Sequence, residues 1–316
     1  MGESESVKGY RAGFVSLVGR PNVGKSTLMN AMLGVRLSIA TPKPQTTRNR
    51  ILGVRTVEDR GQLVFLDTPG IHRIRRGRRL NRAMVDEAVR AIRETEVCAF
   101  VVEAKSLVQR PGQPLWGEDA DIAEQIAAAG VTCILVVNKV DQLRGRAQLL
   151  PALAALGEDS RFIAIVPVSA LKGDNVGHLE GVLLDQLPEA GPLFPEDTLT
   201  DRAERFFAAE MIREQVLLQT DREVPYSVAV EVELFSENPR DGALEIQALI
   251  HVERESQKGI VIGRGGQRLK AIGTAARARL EAFFGQHVRL ELLVRVQADW
   301  ADRPQDLSRF GYEEAP

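Results

Sequence analysis

The chain has little cysteine and no apolar run long enough to cross a bilayer. Its two cysteines, Cys98 and Cys133, each lie in a strand-like apolar run. That setting favours buried thiols over a disulfide or a metal site and indicates a reducing, cytoplasmic environment. No stretch approaches the roughly 18 apolar residues of a membrane span. The polar start MGESESVKGY also lacks the apolar core of a secretory signal, so we expect a soluble protein.

A strong excess of charge of one sign is also missing. The 41 basic and 43 acidic residues give a formal net charge of -2, so any contact with nucleic acid must come from a local basic patch. With 316 residues, the chain is about twice the ~150 residues of a typical domain, which predicts two domains. We find no internal repeat and no low-complexity tract.

The first part of the chain alternates strand-like and helix-like patterns, which predicts an α/β domain with a mostly parallel sheet. Only Glu58–Gly61 separates the second and third strands, so we expect those two to form an antiparallel hairpin at one edge. The predicted strands are 13–18, 50–57, 62–67, 97–103, 131–137 and 163–168.

The second part follows a proline-rich segment, 188–200, whose composition predicts a linker. Asp201 is the predicted N-cap of a helix that runs to about Gln219, with Glu204 as its partner. Apolar and polar residues then alternate in three runs, 228–234, 244–252 and 288–296, and the segment between the last two carries a helical apolar stripe, Leu269, Ile272, Ala276, Leu280 and Phe283. These patterns predict an α+β domain. The predicted division is a tail at 1–10, a first domain at 11–187, the linker at 188–200 and a second domain at 201–316 with a C-terminal helix.

The octapeptide GRPNVGKS directly follows the first predicted strand and matches the phosphate-binding loop GxxxxGK[ST]. Its backbone N–H groups can surround phosphate oxygens, Lys25 adds positive charge, and the Ser26 hydroxyl can bind Mg²⁺. The residues expected to contact a nucleotide here are Gly19, Arg20, Pro21, Asn22, Val23, Gly24, Lys25, Ser26 and Thr27.

Two further motifs follow apolar strands and point to a guanine nucleotide. The run DTPG, 67–70, places the Asp67 carboxylate where it can hold Mg²⁺ through water. The run NKVD, 138–141, places Asp141 where one carboxylate can accept both the N1–H and the exocyclic amine of guanine. Adenine offers no matching pair of donors.

In this order, GRPNVGKS, the pair Thr46 and Thr47, DTPG, NKVD and the run SAL at 169–171 resemble the translation-factor-related GTPases. The resemblance implies that Thr47, with Thr46 as second choice, closes on Mg²⁺ and the γ-phosphate. It also implies base contacts from the residues Asn138, Lys139, Asp141, Ser169, Ala170 and Leu171. The implied metal ligands are Ser26, Thr47 and Asp67, and the implied catalytic residues are Lys25, Thr47, Asp67, Gly70 and Asn22.

One departure from ordinary small GTPases bears on catalysis. Ile71 follows DTPG where those proteins carry a glutamine that orients the attacking water, so we expect slow intrinsic hydrolysis. In related GTPases with this substitution, an asparagine matching Asn22 helps hold K⁺ against the phosphates. His72 is the other nearby candidate, although an unpaired histidine in such a loop is more often simply solvated.

The second domain contains GRGG at 263–266, a GxxG run ahead of a striped helix. Alone, GxxG indicates only a tight turn between helices. Within the predicted order of a helix, two strands, two helices and a strand, it predicts a type II KH domain, whose loop clamps RNA. The predicted RNA-binding residues are Gly263, Arg264, Gly265, Gly266, Arg268 and Lys270.

With PEDTLTDRAERFFAAEMIRE and VIGRGGQRLKAIG added, nearly the whole chain resembles the Era-type GTPases. This resemblance implies a GTP-hydrolysing switch that uses GTP/GDP, Mg²⁺ and a candidate K⁺, binds the 3′ end of 16S rRNA and acts in 30S subunit assembly. It also implies peripheral contact with the inner membrane, and we expect a monomer. An alternative function stays open, an RNA-binding protein with GTP as a structural ligand. The role of the basic run Arg73–Arg79 also stays open, because it is either an RNA contact or a solvated loop. A tRNA-modifying relative is disfavoured because the tail GYEEAP carries no cysteine.

Overall fold

The computed structural model describes residues 9–43, 45–71, 79–110, 112–221 and 223–312. They form two compact units. The first unit contains the described residues up to 38, from 47 to 71 and from 84 to 201. The second contains the described residues of 39–46, those of 79–83 and those from 202. His72 and most of the basic run, Arg73 to Arg78, lie outside the described residues. None of the described helices is long and apolar enough to cross a membrane.

The first unit is built on a six-stranded sheet. Its strands are β1 Arg11–Val18, β2 Ile51–Val57, β3 Gly61–Asp67, β4 Val97–Glu103, β5 Thr132–Asn138 and β6 Ala164–Pro167. Their order across the sheet is β2-β3-β1-β4-β5-β6. All neighbours are parallel except β2 and β3, which form the predicted antiparallel hairpin. The carboxyl ends of β1, β3, β4 and β5 therefore share one edge, where open α/β sheets bind ligands.

Helices connect these strands. They are α1 Lys25–Leu33, α2 Arg79–Arg93, α3 Ala104–Val108, α4 Glu118–Ala129, α5 Leu150–Gly157 and α6 Val176–Asp185. Strands β4 and β5 are almost fully buried, as expected for central parallel strands covered on both faces. Cys98 and Cys133 lie opposite each other on these strands as buried free thiols, which confirms the prediction.

The predicted linker packs along the first unit as an extended strap. The amide of Gln62 accepts hydrogen bonds from the backbone N–H groups of Leu193 and Phe194, both at 2.9 Å, and donates to the Phe194 carbonyl at 3.0 Å. Farther along, the Leu199 carbonyl accepts from the N–H of Val54 at 2.8 Å. The proline residues therefore mark an ordered segment that covers the edge strand β2.

The second unit has the predicted order of elements, and its three-stranded sheet runs β7-β8-β9. These elements are α7 Glu204–Gln219, β7 Ala229–Glu237, β8 Leu244–Val252, α8 Glu255–Ile262, α9 Gln267–Phe284, β9 Val288–Val296 and α10 Pro304–Arg309. Strand β8 pairs antiparallel with β7 and parallel with β9. The stripe residues Ile272, Ala276 and Leu280 of α9 are fully buried.

Two local predictions in this unit are wrong. The N-cap of α7 is Ala203, whose backbone is extended, and not Asp201. The predicted alternation of β7 also breaks, because a β-bulge between Val232 and Leu234 shifts the register with β8. The extra residue turns Leu234 toward solvent, where it is 37% exposed.

Candidate functional site

The phosphate-binding loop joins β1 to α1, and Lys25 lies at the first position of the helix. Its ammonium group donates to the carbonyls of Gly19 at 3.1 Å and Arg20 at 3.0 Å. The side chain is buried, and this burial lowers the pKa of Lys25 to about 8, although the nearby Asp67 carboxylate opposes the shift. The loop therefore already holds a desolvated cation beside its backbone amides.

Four oxygen-bearing side chains, three of them from the predicted motifs, meet near this lysine. Ser26 Oγ donates to Asp67 Oδ2 at 2.6 Å and lies 2.8 Å from Thr47 Oγ1. Thr47 Oγ1 lies 3.5 Å from the same carboxylate oxygen. Ser38 Oγ, which belongs to none of the motifs, donates to it at 2.7 Å.

The cluster fits a hard cation. Asp67 Oδ1 is buried and has no hydrogen-bond partner among the described residues. Burial raises the pKa of Asp67, while the hydrogen bond from Ser26 and the charge of Lys25 lower it. Mg²⁺ takes hydroxyl and carboxylate oxygens and would compensate the buried charge. Ser26, Thr47 and Asp67 are thus the residues that would hold it.

The structure separates the two candidate threonines. Thr46 Oγ1 donates to the Lys43 carbonyl at 2.7 Å and lies 2.6 Å from Thr41 Oγ1. Thr47 instead faces Ser26 and Asp67. The geometry therefore favours Thr47, the first of the two candidates from the sequence, as the residue that closes on the metal.

The end of the DTPG segment packs tightly on the phosphate-binding loop. A Cβ on Gly70 would lie 2.6 Å from the backbone nitrogen of Pro21, so only glycine fits this approach. The N–H of Ile71 donates to the Gly19 carbonyl at 3.1 Å. The Ile71 side chain is 4% exposed and belongs to the hydrophobic core. It offers no group that could orient a water molecule.

The predicted base site is assembled from two strand ends. Asn138 Nδ2 donates to the Val23 carbonyl at 2.9 Å, and its Oδ1 accepts from the Ala170 N–H at 3.0 Å. Ser169 Oγ donates to Asp141 Oδ1 at 2.6 Å. Asn138 thus ties the phosphate-binding loop to the SAL segment, and Asp141 is held in a fixed orientation beside them.

Other members of the predicted site have different surroundings. Lys139 Nζ donates to the Asn22 carbonyl at 2.6 Å and to Glu103 Oε1 at 3.1 Å. Leu171 is 73% exposed, so its side chain packs against little of the first unit. Asn22 adopts a left-handed backbone with φ 64°.

The GxxG loop joins α8 to α9 in the second unit. Gly263 has φ 73° and ψ 177°, and a Cβ there would lie 2.8 Å from Arg268 Cβ. Arg268 Nη1 donates to the Ile260 carbonyl at 2.6 Å. Arg268 therefore closes the loop, and the side chains of Arg264, Arg268 and Lys270 are all exposed.

A cavity of about 420 Å³ opens beside this loop. The side chains of Gln219 and Gln267, which the sequence analysis did not single out, line it with Arg264 and Arg268. Gln219 ends α7, about 44 positions before the loop, so no local pattern links it to the GxxG run.

Comparisons with known proteins identify both units. A family model described as a 50S ribosome-binding GTPase matches residues 14–139, and a KH domain model matches 223–301. A protein named GTPase Era from Syntrophus aciditrophicus is 46% identical over 305 residues, which cover 96% of each chain. GTPase Era from Geotalea daltonii is 49% identical over 304 residues, covering 96% of this chain and 98% of that protein.

Two crystal structures superpose on nearly the whole chain. One is an Aquifex aeolicus Era variant bound to GDP and AlF₄⁻, and the other is Era in complex with MgGDPNP and nucleotides 1506–1542 of 16S ribosomal RNA. Each has a TM-score of 0.90 and 40% sequence identity, and covers 96% of this chain and 99% of the matched chain.

Proposed function

Because this chain belongs to the Era family of GTPases, we propose that it is a GTP-hydrolysing switch that binds the 3′ end of 16S rRNA and acts in assembly of the 30S ribosomal subunit. The observation that carries the GTPase part is the convergence of Ser26, Thr47 and Asp67 behind Lys25. These oxygens are brought together from three segments at the carboxyl edge of a parallel sheet.

Different residues of the site bind different parts of the nucleotide. Lys25 and the loop amides bind the phosphates, and Asn138 and Asp141 orient the guanine base. When bound, Mg²⁺ neutralises charge on the phosphate oxygens. The closing of Thr47 on the γ-phosphate side distinguishes GTP from GDP, which lets hydrolysis act as a switch.

We infer that transition-state stabilisation comes from K⁺ held with the help of Asn22. This proposal is supported by the buried Ile71, which leaves the usual position of a water-orienting glutamine without a polar group. The left-handed turn at Asn22 lies on the phosphate-binding loop itself. A cation there would do the work of an arginine finger.

Single-turnover hydrolysis of GTP in K⁺ and in Na⁺ tests this proposal. We expect faster hydrolysis in K⁺, and we expect Asn22→Ala to remove the difference while leaving GTP affinity nearly unchanged. Equal rates in the two salts would contradict the K⁺ proposal. GTP binding without hydrolysis in either salt would favour an RNA-binding protein with GTP as a structural ligand.

The RNA part of the proposal is supported by the KH domain and its glycine-rich loop. Gly265 and Gly266 have φ values of 57° and 78° and leave the backbone open to close approach by a nucleotide. Arg264 and Lys270 add exposed positive charge. One of the two matched Era structures holds nucleotides 1506–1542 of 16S ribosomal RNA, which makes this RNA the first ligand to test.

We also propose that the protein is a monomer with peripheral contact with the inner membrane. The membrane contact is supported by the family resemblance. Light scattering at several protein concentrations tests the first, and sedimentation with vesicles of bacterial inner-membrane lipids tests the second. A dimer mass, or the absence of protein from the vesicle pellet, would contradict them.

A further inference from the structure

Arg20 lies inside the phosphate-binding loop, but its side chain is directed toward α3 and α4. Its Nε donates to Asp119 Oδ1 at 2.7 Å, and its Nη2 lies 3.4 Å from Ser106 Oγ. Asp119 is in the first turn of α4 and Ser106 is in α3. Neither residue belongs to a nucleotide-binding motif.

The burial of Asp119 strongly favours its ion pair with Arg20. Asp119 is 1% exposed, and burial raises its pKa, while the hydrogen bond and charge of Arg20 lower it. A buried carboxylate needs a partner, because an unpaired one is heavily penalised. The Arg20 side chain is 29% exposed, so it extends from the surface toward the buried carboxylate of Asp119. Asp119 therefore fixes where the guanidinium group lies.

The backbone of Arg20 serves the phosphate site directly. Its carbonyl accepts a hydrogen bond from Lys25 Nζ at 3.0 Å. On the next residue, Pro21 is packed against Gly70, where a Cβ would lie only 2.6 Å from the proline nitrogen. With its side chain anchored and its neighbour packed, Arg20 has little freedom to rotate its peptide groups.

We propose that Asp119, assisted by Ser106, is a positioning residue of the GTP site. It holds Arg20 so that the phosphate-binding loop keeps its binding conformation before the nucleotide arrives. The inference rests on the proposed GTPase function and deepens it. Because the loop cradles phosphates that GTP, GDP and the transition state share, this preorganisation acts equally on all three.

The expected signature is a change in KM without a change in kcat. Uniform binding lowers KM and leaves kcat unchanged, so its loss raises KM alone. Asp119→Asn keeps the shape of the side chain and removes its charge. We expect the full-length variant to bind GTP and GDP about tenfold more weakly, by a similar factor for each, a size typical of losing one charge-assisted hydrogen bond.

Glu118→Gln is the matched control. Glu118 is the neighbouring residue in the same helical turn, so this variant removes an equal charge from the same helix terminus. We expect its nucleotide affinities and kcat to stay within about twofold of those of the unchanged protein. A tenfold loss in both variants would assign the effect to helix charge and overturn the positioning role.

A second variant tests the pair from its other side and does not alter the buried residue. Arg20→Gln should weaken binding of both nucleotides to the same extent as Asp119→Asn, and Arg20→Lys should recover part of the loss. Combining Arg20→Gln with Asp119→Asn should add little to either single loss, since both remove one interaction.

These measurements use isothermal titration with GDP and with a non-hydrolysable GTP analogue, together with steady-state hydrolysis. Unchanged nucleotide affinity in Asp119→Asn and Arg20→Gln, fully additive losses, or a fall in kcat alone would overturn the inference. If Asp119→Asn does not fold, the two Arg20 variants decide. Failure of the unchanged protein to bind GTP would instead contradict the proposed function.

Discussion

Asp141 is the residue on which selection of guanine should depend. Its carboxylate is held by Ser169 Oγ at 2.6 Å and is exposed at the end of β5. We expect Asp141→Asn to weaken GTP binding roughly 100-fold or more, because an amide cannot accept both donors of guanine. The same variant should gain affinity for xanthosine triphosphate, whose ring carries an oxygen in place of the amine.

Direct titration with both nucleotides checks this expectation. Asp185→Asn, a change of the same kind on α6, is the control and should leave both affinities unchanged. Undiminished GTP affinity in Asp141→Asn would show that another group reads the base.

Lys25 should make stability depend on pH in the absence of nucleotide. Burial lowers its pKa from 10.5 to about 8. Between these values the unfolded chain binds a proton that the folded protein does not, so stability rises with pH over that interval. The full difference is on the order of 3 kcal/mol.

Urea unfolding of the unchanged protein and of Lys25→Met, at several pH values between 7 and 10, measures this contribution. The difference in stability between the two should favour Lys25→Met most at neutral pH and should shrink as the pH rises. A difference independent of pH would mean that Lys25 keeps its proton throughout this range.

Residues found by motif spacing and residues found only by the structure differ in how far their partners lie along the chain. Lys25, Asp67 and Asn138 follow strands in fixed local patterns, so their positions could be read from the sequence. Ser38 and Asp119 contact the site only because separate segments pack together. Their sequence neighbours carry no pattern that marks them.

Among the elements, the hairpin of β2 and β3 and the order of the second unit were predictable, because periodicity and turn length are local properties. The cap of α7 and the bulge in β7 were not. An aspartate followed by a glutamate three positions later is a common sequence, and the register of β7 is decided by its pairing with β8. The strap at 188–200 depends on Gln62, more than 120 positions earlier, so composition alone suggested only a linker.

The backbone at the first glycine of the GxxG loop is expected to require glycine. Gly263 has φ 73° and ψ 177°, a conformation that is almost restricted to glycine, and its missing Cβ faces Arg268. We expect Gly263→Ala to lower the free energy of unfolding by about 1–3 kcal/mol and to weaken RNA binding.

Gly259→Ala is its matched control. Gly259 lies within α8, and a Cβ there would meet nothing within 4 Å. Alanine should stabilise this helix by up to about 1 kcal/mol. Chemical denaturation of the two variants measures both effects, and equal stabilities would show that the Gly263 backbone can relax without strain.

At the scale of the whole molecule, a net charge of -2 leaves RNA binding to local surfaces. The residues of the nucleotide site lie in the first unit, apart from Thr46, and the GxxG loop lies in the second. A change confined to that loop should therefore separate the two activities. It should also show whether RNA binding rests on the KH loop or on other basic residues, such as the run that ends at Arg79.

Arg264→Asp combined with Gly265→Asp is such a change. Both side chains would place negative charge where phosphates approach, and aspartate tolerates the left-handed backbone of Gly265 better than most residues. We expect the full-length variant to lose binding to single-stranded RNA of the 16S 3′ sequence and to keep its GTPase rate. Lys258→Asp with Gly259→Asp, on the neighbouring helix α8, makes a similar change in charge and size outside the loop.

The decisive measurement is fluorescence anisotropy with GTP over a range of salt concentrations, using the 16S 3′ RNA and a scrambled RNA of equal length. Affinity for both should fall as salt rises, because phosphate contacts are lost, whereas preference for the true sequence should persist, because it depends on base edges. Equal binding of the two RNAs at every salt concentration would contradict sequence recognition, and full binding by the loop variant would place the RNA site elsewhere on the protein.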